Sequence, residues 1–303
     1  MRIHIFFATD GSVSARFAQA QICSLPWRPP AHVTVMTAME VPHPPFTSLI
    51  PPARRAFHTA LVVLRHDAED HATEVLDKAR LDLEGHVDSI ATRMHLGYAG
   101  PTIVDMARAC RVDLVAVGSR GLGMYKGFLL GSVSDYVAQH AHSPVLIVKT
   151  PPKGERRFLL ALEGPADQER VVGWLKALDL SAGARIHLLN VCRKRKQTPD
   201  PDEGTTHVTG EIAGADDFEA WGNSPGVLEA LGGQELPTGA VRVTAEVRHG
   251  DPVPEILDSI HEFRPELLVL GAKCPQSPAE SPLGKVTRKL IDQASCSVLV
   301  VRP

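Results

Sequence analysis

Along the first half of the chain, apolar runs of strand length alternate with stretches whose apolar residues recur at helical spacing. IHIFFAT (3–9) is apolar almost throughout, as expected of a parallel strand buried on both faces. Residues from Ser12 to about Ser24 have helical spacing, and HVTVMTAM (32–39) reads as a second strand. The segment from about Ala53 to Glu84 reads as a long helix charged on one side. IATRMHL (90–96), LVAVG (114–118) and VLIVK (145–149) supply three further strands. Between them fall a helix from Pro101 to about Cys110, with Pro101 tolerated in its first turn, and a helix from Ser132 to His140. Strands alternating with helices predict an α/β fold with a parallel sheet covered on both faces, and right-handed crossovers favour a doubly wound order.

The pattern then repeats. At a shift of 153 residues IFFATDG (5–11) lies on FLLALEG (158–164), and HVTVM (32–36) lies on RIHLL (185–189). GYAGPTIVDMARACRVDLVAVG (97–118) lies on GDPVPEILDSIHEFRPELLVLG (250–271), and VLIVK lies on VLVVR (298–302). The last fifty-odd residues of each half align without a gap, about a quarter of them identical. A duplication follows, with two domains expected at 1–150 and 155–303 on either side of the Pro/Gly linker PPKGE (151–155).

Composition narrows the function classes. A formal net charge of −3 with both signs intermixed gives no electrostatic case for nucleic acid or a membrane surface. Aromatic content of 5% weakens any base-stacking role, and no apolar run reaches membrane-spanning length. MRIHIFFATDGS does not read as a signal peptide. The five cysteines are scattered and form no CxxC pair, so the expectation is a cytoplasmic protein without a disulfide framework. His66 and His71 are five apart, off the one-turn spacing that shared ligation prefers, His140 and His142 sit at a helix end where histidine suits the dipole, and His43 lies in a proline-rich loop. No GxSxG elbow is present, and Ser12 has no identified base. RKRKQ (193–197) is followed at once by the acidic DPDE run and reads as a solvated loop.

The glycine-rich stretch GSRGLGMYKGFLLGSVSD (118–135) follows the fourth strand, while Asp10 and Gly11 follow the first. In doubly wound sheets ligands sit beyond the carboxyl ends of the strands, where strand order reverses. Gly118 and Gly121 would let backbone N–H groups approach an anion, and Gly131 and Ser132 would open a helix whose N-terminus favours phosphate. The competing reading is a capping box, Ser132 with Asp135. Neither GxxxxGK[ST] nor GxGxxG at the first turn occurs.

Gly118-x2-Gly121-x9-Gly131-Ser132, together with ATDGS at 8–12, resembles the nucleotide-binding signature of the universal stress protein family. The resemblance spans nearly the whole chain as two tandem copies. It implies two five-stranded doubly wound domains of the adenine nucleotide alpha-hydrolase-like kind, paired through their last strands. It also implies ATP, or ADP or AMP, as ligand, with Mg²⁺ carried on phosphate oxygens and water. By the same resemblance Asp10 would bond the ribose or adenine side beside Ala8, and Ala38 would lie against adenine. Val117, Gly118 and Gly121 would line the ribose and phosphate path, with Arg120 in reach of a phosphate. Gly131, Ser132, Val133 and Ser134 would hold phosphates. A homodimer and a lid formed by residues 40–55 are further expectations of the family pattern.

In the second half the shifted positions keep Gly271 and Gly284 but carry Cys274 for Gly121, Lys285 for Ser132 and Glu163 for Asp10. Three prolines stand in PQSPAESPL (275–283), each without a backbone donor. One nucleotide site, in the first domain, is therefore expected. The reading is a stress-response regulator that binds ATP. A nucleotide-free scaffold and a slow ATPase stay open, the latter because Asp10 alone is a thin basis for hydrolysis.

Overall fold

A computed structural model describes residues 3–28, 31–40, 51–121, 130–163, 165–180, 183–192, 241–272 and 283–302. The chain divides into two compact units, Met1–Ser24 with Pro29–Pro151, and Leu25–Arg28 with Pro152–Pro303.

The first unit runs β1 (Ile3–Ala8), α1 (Val13–Ser24), β2 (Ala31–Met39), α2 (Pro51–Leu83), β3 (Ser89–Leu96), α3 (Ala99–Ala109), β4 (Leu114–Gly118), α4 (Ser132–His140) and β5 (Val145–Val148). Its strands are parallel in the order β3-β2-β1-β4-β5. Phe6 and Phe7 in β1, Val33 and Val35 in β2, Leu114 to Ala116 in β4 and all of β5 are buried, because helices cover both faces. α1 and α2 pack on one face, α3 and α4 on the other. β3, at the edge, is only partly covered. The order reverses between β1 and β4, whose ends are in register at Ala8 and Val117. Element bounds fall within two residues of those read from the pattern, since strand and helix periods were unambiguous there.

The second unit runs β6 (Arg157–Leu162), α5 (Pro165–Trp174) with a 3-10 turn, β7 (Ala184–Cys192), β8 (Val241–His249), α6 (Pro252–Phe263), β9 (Leu267–Gly271), α7 (Lys285–Gln293) and β10 (Ser297–Val301). Its parallel order, β8-β7-β6-β9-β10, repeats that of the first. Leu25–Arg28 belongs to this unit because Trp27 packs edge-on to Trp174 at 6.1 Å and Arg28 Nε donates to the Leu178 carbonyl at 3.1 Å. That short excursion is not visible in hydrophobic periodicity. α6 starts on Pro252 with Asp251 as N-cap, its carboxylate accepting from Val253 N at 3.2 Å.

A polar cluster lies beneath α6. His187 Nε2 meets Glu246 Oε2 at 3.2 Å, and Nδ1 meets Thr244 Oγ1 at 2.8 Å. Arg248 donates to Glu246 at 2.8 Å and to Glu262 at 2.5 Å, while the His187 ring stacks on Phe263. Burial pushes the His187 pKa below its ordinary value despite the pull of Glu246. Burial opposes the charge of Glu246, but hydrogen bonding and attraction from Arg248 outweigh it and hold that carboxyl low. Among the described residues no helix is long and apolar enough to cross a membrane.

Candidate functional site

The turn after β1 is built by its own polar side chains. Asp10 Oδ1 accepts from Ser12 N at 3.0 Å, an Asx turn, and Gly11 adopts φ +73°, in the left-handed region. Ser12 then caps α1, its hydroxyl accepting from Ala15 N at 3.2 Å and donating to the Arg120 carbonyl at 3.2 Å. That second bond ties the segment after β1 to the segment after β4. Ser12 is thus a cap and a strut.

At the end of β4, Gly118 abuts the start of α1. A Cβ there would lie 2.5 Å from the Ser14 carbonyl carbon and 2.6 Å from Ala15 N. The sequence reading assigned this glycine to anion approach; close helix packing requires it independently. Gly121 faces Asp10, with 2.8 Å between a Cβ built on it and Asp10 Oδ2. Across the glycine-rich stretch, Gly131 N donates to the Ser119 carbonyl at 2.7 Å, and the buried Ser134 hydroxyl reaches the same carbonyl at 2.9 Å.

These bonds revise two expectations. The N-cap of α4 is Gly131 rather than Ser132, and no side chain caps it. Asp135 receives Gln139 Nε2 at 2.8 Å instead of completing a capping box. The donors of Gly131 N–H and of the Ser134 hydroxyl are directed to Ser119, so the helix offers an anion the N–H groups of Ser132, Val133 and Ser134, together with the Ser132 hydroxyl. The helix terminus stays open because its N-cap residue, Gly131, has no side chain.

All eleven residues singled out in the sequence line one crevice of about 430 Å³: Ala8, Asp10, Ala38, Val117, Gly118, Arg120, Gly121, Gly131, Ser132, Val133 and Ser134. Thr9, Ala15, Met36, Glu40, Ala99 and Ile103 join them. Ala99 and Ile103 arrive because α3 crosses over β2, which no local pattern announces. Glu40 follows the β2 run directly and accepts from Ala99 N at 3.2 Å, so its carboxylate sits at the N-terminus of α3. A charged residue ending an apolar strand two positions after Ala38 was the available signal for it. The crevice has an apolar floor of Met36, Ala38 and Ile103, one uncapped helix N-terminus, and two carboxylates on separate elements. Its size suits a mononucleotide-sized ligand.

The second domain presents a different helix entry. Gly284 caps α7 at φ +70°, whereas Gly131 is extended at φ −78°, and Lys285 occupies the first helical position. Thr287 stands at the position matching Ser134, but its hydroxyl is directed to the Gly271 carbonyl at 3.4 Å, the counterpart of Gly118 rather than of Ser119. Cys274 and the prolines 275, 278 and 282 lie outside the described residues, as do His43, the 193–197 basic run and residues 41–50 of the expected lid.

Elsewhere the chemistry is muted. Cys23 is pushed up to about 11 by burial and by neighbouring Asp82, and its thiol donates to the Asp82 carbonyl, which makes it a poor nucleophile. His140 bonds the Tyr136 carbonyl at 2.8 Å and stacks on its ring. Among the described residues no group of three metal-ligating side chains occurs.

The comparisons agree with this architecture. A family model described as the universal stress protein family matches residues 1–149 and again 155–302. A universal stress protein of Methanocaldococcus jannaschii is 30% identical over 149 residues, which is 49% of this chain and 83% of that protein. One from Mycobacterium tuberculosis is 33% identical over 99 residues, covering 33% of this chain and 30% of the relative. The crystal structure of a universal stress protein from Archaeoglobus fulgidus superposes with a TM-score of 0.62 at 18% identity, covering 99% of this chain and 96% of that one. The chain belongs to the universal stress protein family, as two tandem domains.

Proposed function

We propose that this member of the universal stress protein family binds ATP in the crevice of its first domain and acts in the stress response as a regulator rather than a catalyst. One observation carries the reading: the uncapped N-terminus of α4 opens on the same crevice as Asp10 and the apolar floor of Met36, Ala38 and Ile103. The N–H groups of Ser132 to Ser134 are donors suited to phosphate, Asp10 is an acceptor suited to ribose hydroxyls, and the floor accepts a base face. Mg²⁺ would be held by phosphate oxygens and water, the protein supplying orientation. ADP and AMP engage the same donors with fewer phosphates.

The second domain acts as the partner of the first rather than as a second site. Lys285 supplies a charge at α7, but the acceptor matching Asp10 is the longer Glu163, which is exposed. A bound nucleotide shifts the protein between states to the extent that it prefers one of them.

Titration calorimetry of the full chain with Mg·ATP tests the proposal against Ser132→Pro. Proline at the first helical position removes one N–H and a hydroxyl, while the extended Gly131 before it tolerates the ring. Gly131→Pro would be a poor probe, because it breaks the bond to Ser119. One equivalent bound by the intact chain, weakened at least tenfold in Ser132→Pro at unchanged melting temperature, is the expected result. No binding by the intact chain would leave the crevice a feature of packing.

A further inference from the structure

Positions 157 on β6, 185 on β7 and 242 on β8 are partners in the parallel register, and all three are arginine. In-register residues of neighbouring strands project from the same face of a sheet. That face is the one beneath α6. The Arg157 guanidinium lies over the Phe263 ring at 4.6 Å, and the ring of His187, two residues along β7 from Arg185, stacks on the same Phe263. Arg157 is half-buried with its Nε buried and lacking an acceptor, while Arg185 and Arg242 are exposed. Among the described residues none of the three forms an ion pair.

The first domain fills the corresponding row differently. His4, His32 and Ser89 are its in-register partners, and His4 and His32 stand 153 positions before Arg157 and Arg185. That row satisfies itself: His4 Nε2 meets Thr34 Oγ1 at 2.8 Å, and His32 Nδ1 meets Ser89 Oγ at 2.7 Å. Three arginines cannot do the same, because a guanidinium donates hydrogen bonds and accepts none. Like charges side by side on neighbouring strands also repel. An anion placed across the row relieves both costs.

The surroundings limit what that anion is. At the β9 end stands Glu266, whose N–H donates to the Arg157 carbonyl and whose Oε2 accepts from Arg156 N at 3.2 Å. At the other end β8 is the edge of the sheet. Further along β8 on the same face come Thr244 and then Glu246, already engaged by His187 and Arg248. The cationic patch is therefore one row deep, and three strands spaced by about 4.8 Å make it ~10 Å long. A nucleic-acid strand needs a longer basic track with free aromatic faces, and Phe263 is taken up by Arg157 and His187. A lone phosphate is too short for the row, whereas a few linked phosphoryl groups meet every guanidinium, whose fork matches phosphate oxygens in pairs.

We infer that Arg157, Arg185 and Arg242 form a binding site for a short oligophosphate chain on the second domain. The site lies at the amino ends of β6, β7 and β8, whereas the counterpart of the first-domain crevice would lie at their carboxyl ends. It is independent of the nucleotide reading above, and it takes phosphates without reading a base.

Calorimetry with inorganic tripolyphosphate, free of divalent cations, tests the site on the full chain carrying Ser132→Pro, which removes donors at the start of α4. One equivalent is expected to bind, with sulfate about tenfold weaker or worse and ATP no tighter than tripolyphosphate. Arg185→Gln and Arg242→Gln, both at exposed positions, should each weaken tripolyphosphate about tenfold. The ligand-free melting temperature should stay within 2 °C or so. In the intact chain tripolyphosphate should slow hydrogen exchange of β7 and β8 peptides, and Arg185→Gln should abolish that protection. Absence of binding, an affinity indifferent to both arginine changes, or protection confined to α4 would each overturn the site. Sulfate binding as tightly as tripolyphosphate, or ATP tenfold more tightly, would overturn the ligand class.

Discussion

Gly121 stands so near Asp10 that a Cβ on it would lie 2.8 Å from the carboxylate Oδ2. The atom in conflict is the end of a side chain, so relief comes from rotating Asp10 rather than from moving backbone. Gly121→Ala is therefore expected to lower nucleotide affinity about tenfold while changing stability by less than ~1 kcal/mol. Calorimetry and a thermal melt on the same sample check both halves of this statement.

Gly118 offers the opposite case. Its missing Cβ would meet backbone atoms of Ser14 and Ala15, which are fixed by the first turn of α1. Gly118→Ala should destabilise the first domain by about 3 kcal/mol, as overpacking against immovable backbone does. Urea unfolding gives the value, and a loss under 1 kcal/mol or so would show that α1 can shift without cost.

Ser12→Ala removes a helix cap and the strut to the Arg120 carbonyl in one change. A loss of about 1–2 kcal/mol is expected. Ser12→Asp should recover the capping share alone, because an ionised carboxylate cannot donate to Arg120. Equal stability of the two variants would mean that the strut, not the cap, is what Ser12 contributes.

The cluster beneath α6 gives a pH dependence with a definite sign. The His187 pKa is lowered by burial, so folding favours the neutral ring; its contribution is complete above the unfolded value near 6.5 and is lost as pH falls through the folded value. Glu246, also lowered, adds a loss in the same direction at more acid pH, below its ordinary value of 4.5. Hydrogen exchange of β7 and β8 peptides, corrected for intrinsic rates, should therefore rise between pH 7 and 5.5 or so in the intact chain. His187→Gln, which keeps two hydrogen-bonding atoms but does not titrate, should flatten that rise. A slope that survives the substitution would locate the sensitivity elsewhere.

Much of this architecture was legible because the strands are buried on both faces and read as apolar runs. The end of each run marks the sheet edge where a ligand would sit, which brought out Asp10 and Gly118 together, while Ala8, Ala38 and Val117 came from the family resemblance. Glu40, Ala99 and Ile103 were not, since their place depends on the path of α3 over β2 and not on any spacing. The sequence signature also merged two physical demands. Gly118 answers to helix packing, whereas Gly131 leaves a helix terminus open, and a string of glycines does not separate them. The exchange of Ser132 for Gly131 as N-cap is a one-position matter that only the extended φ and ψ of Gly131 decide.

The bond from Gly131 N–H to the Ser119 carbonyl works as a drawstring on the chain between them. It closes that span into a ring whose neck is set by β4 and α4, so the span's own length and composition do not determine where α4 begins. Doubling such a ring costs only about 0.6 kcal/mol of closure entropy. Arg120 and Gly121, at the neck of that ring, line the crevice themselves, so the bond holds them against it together with the start of α4.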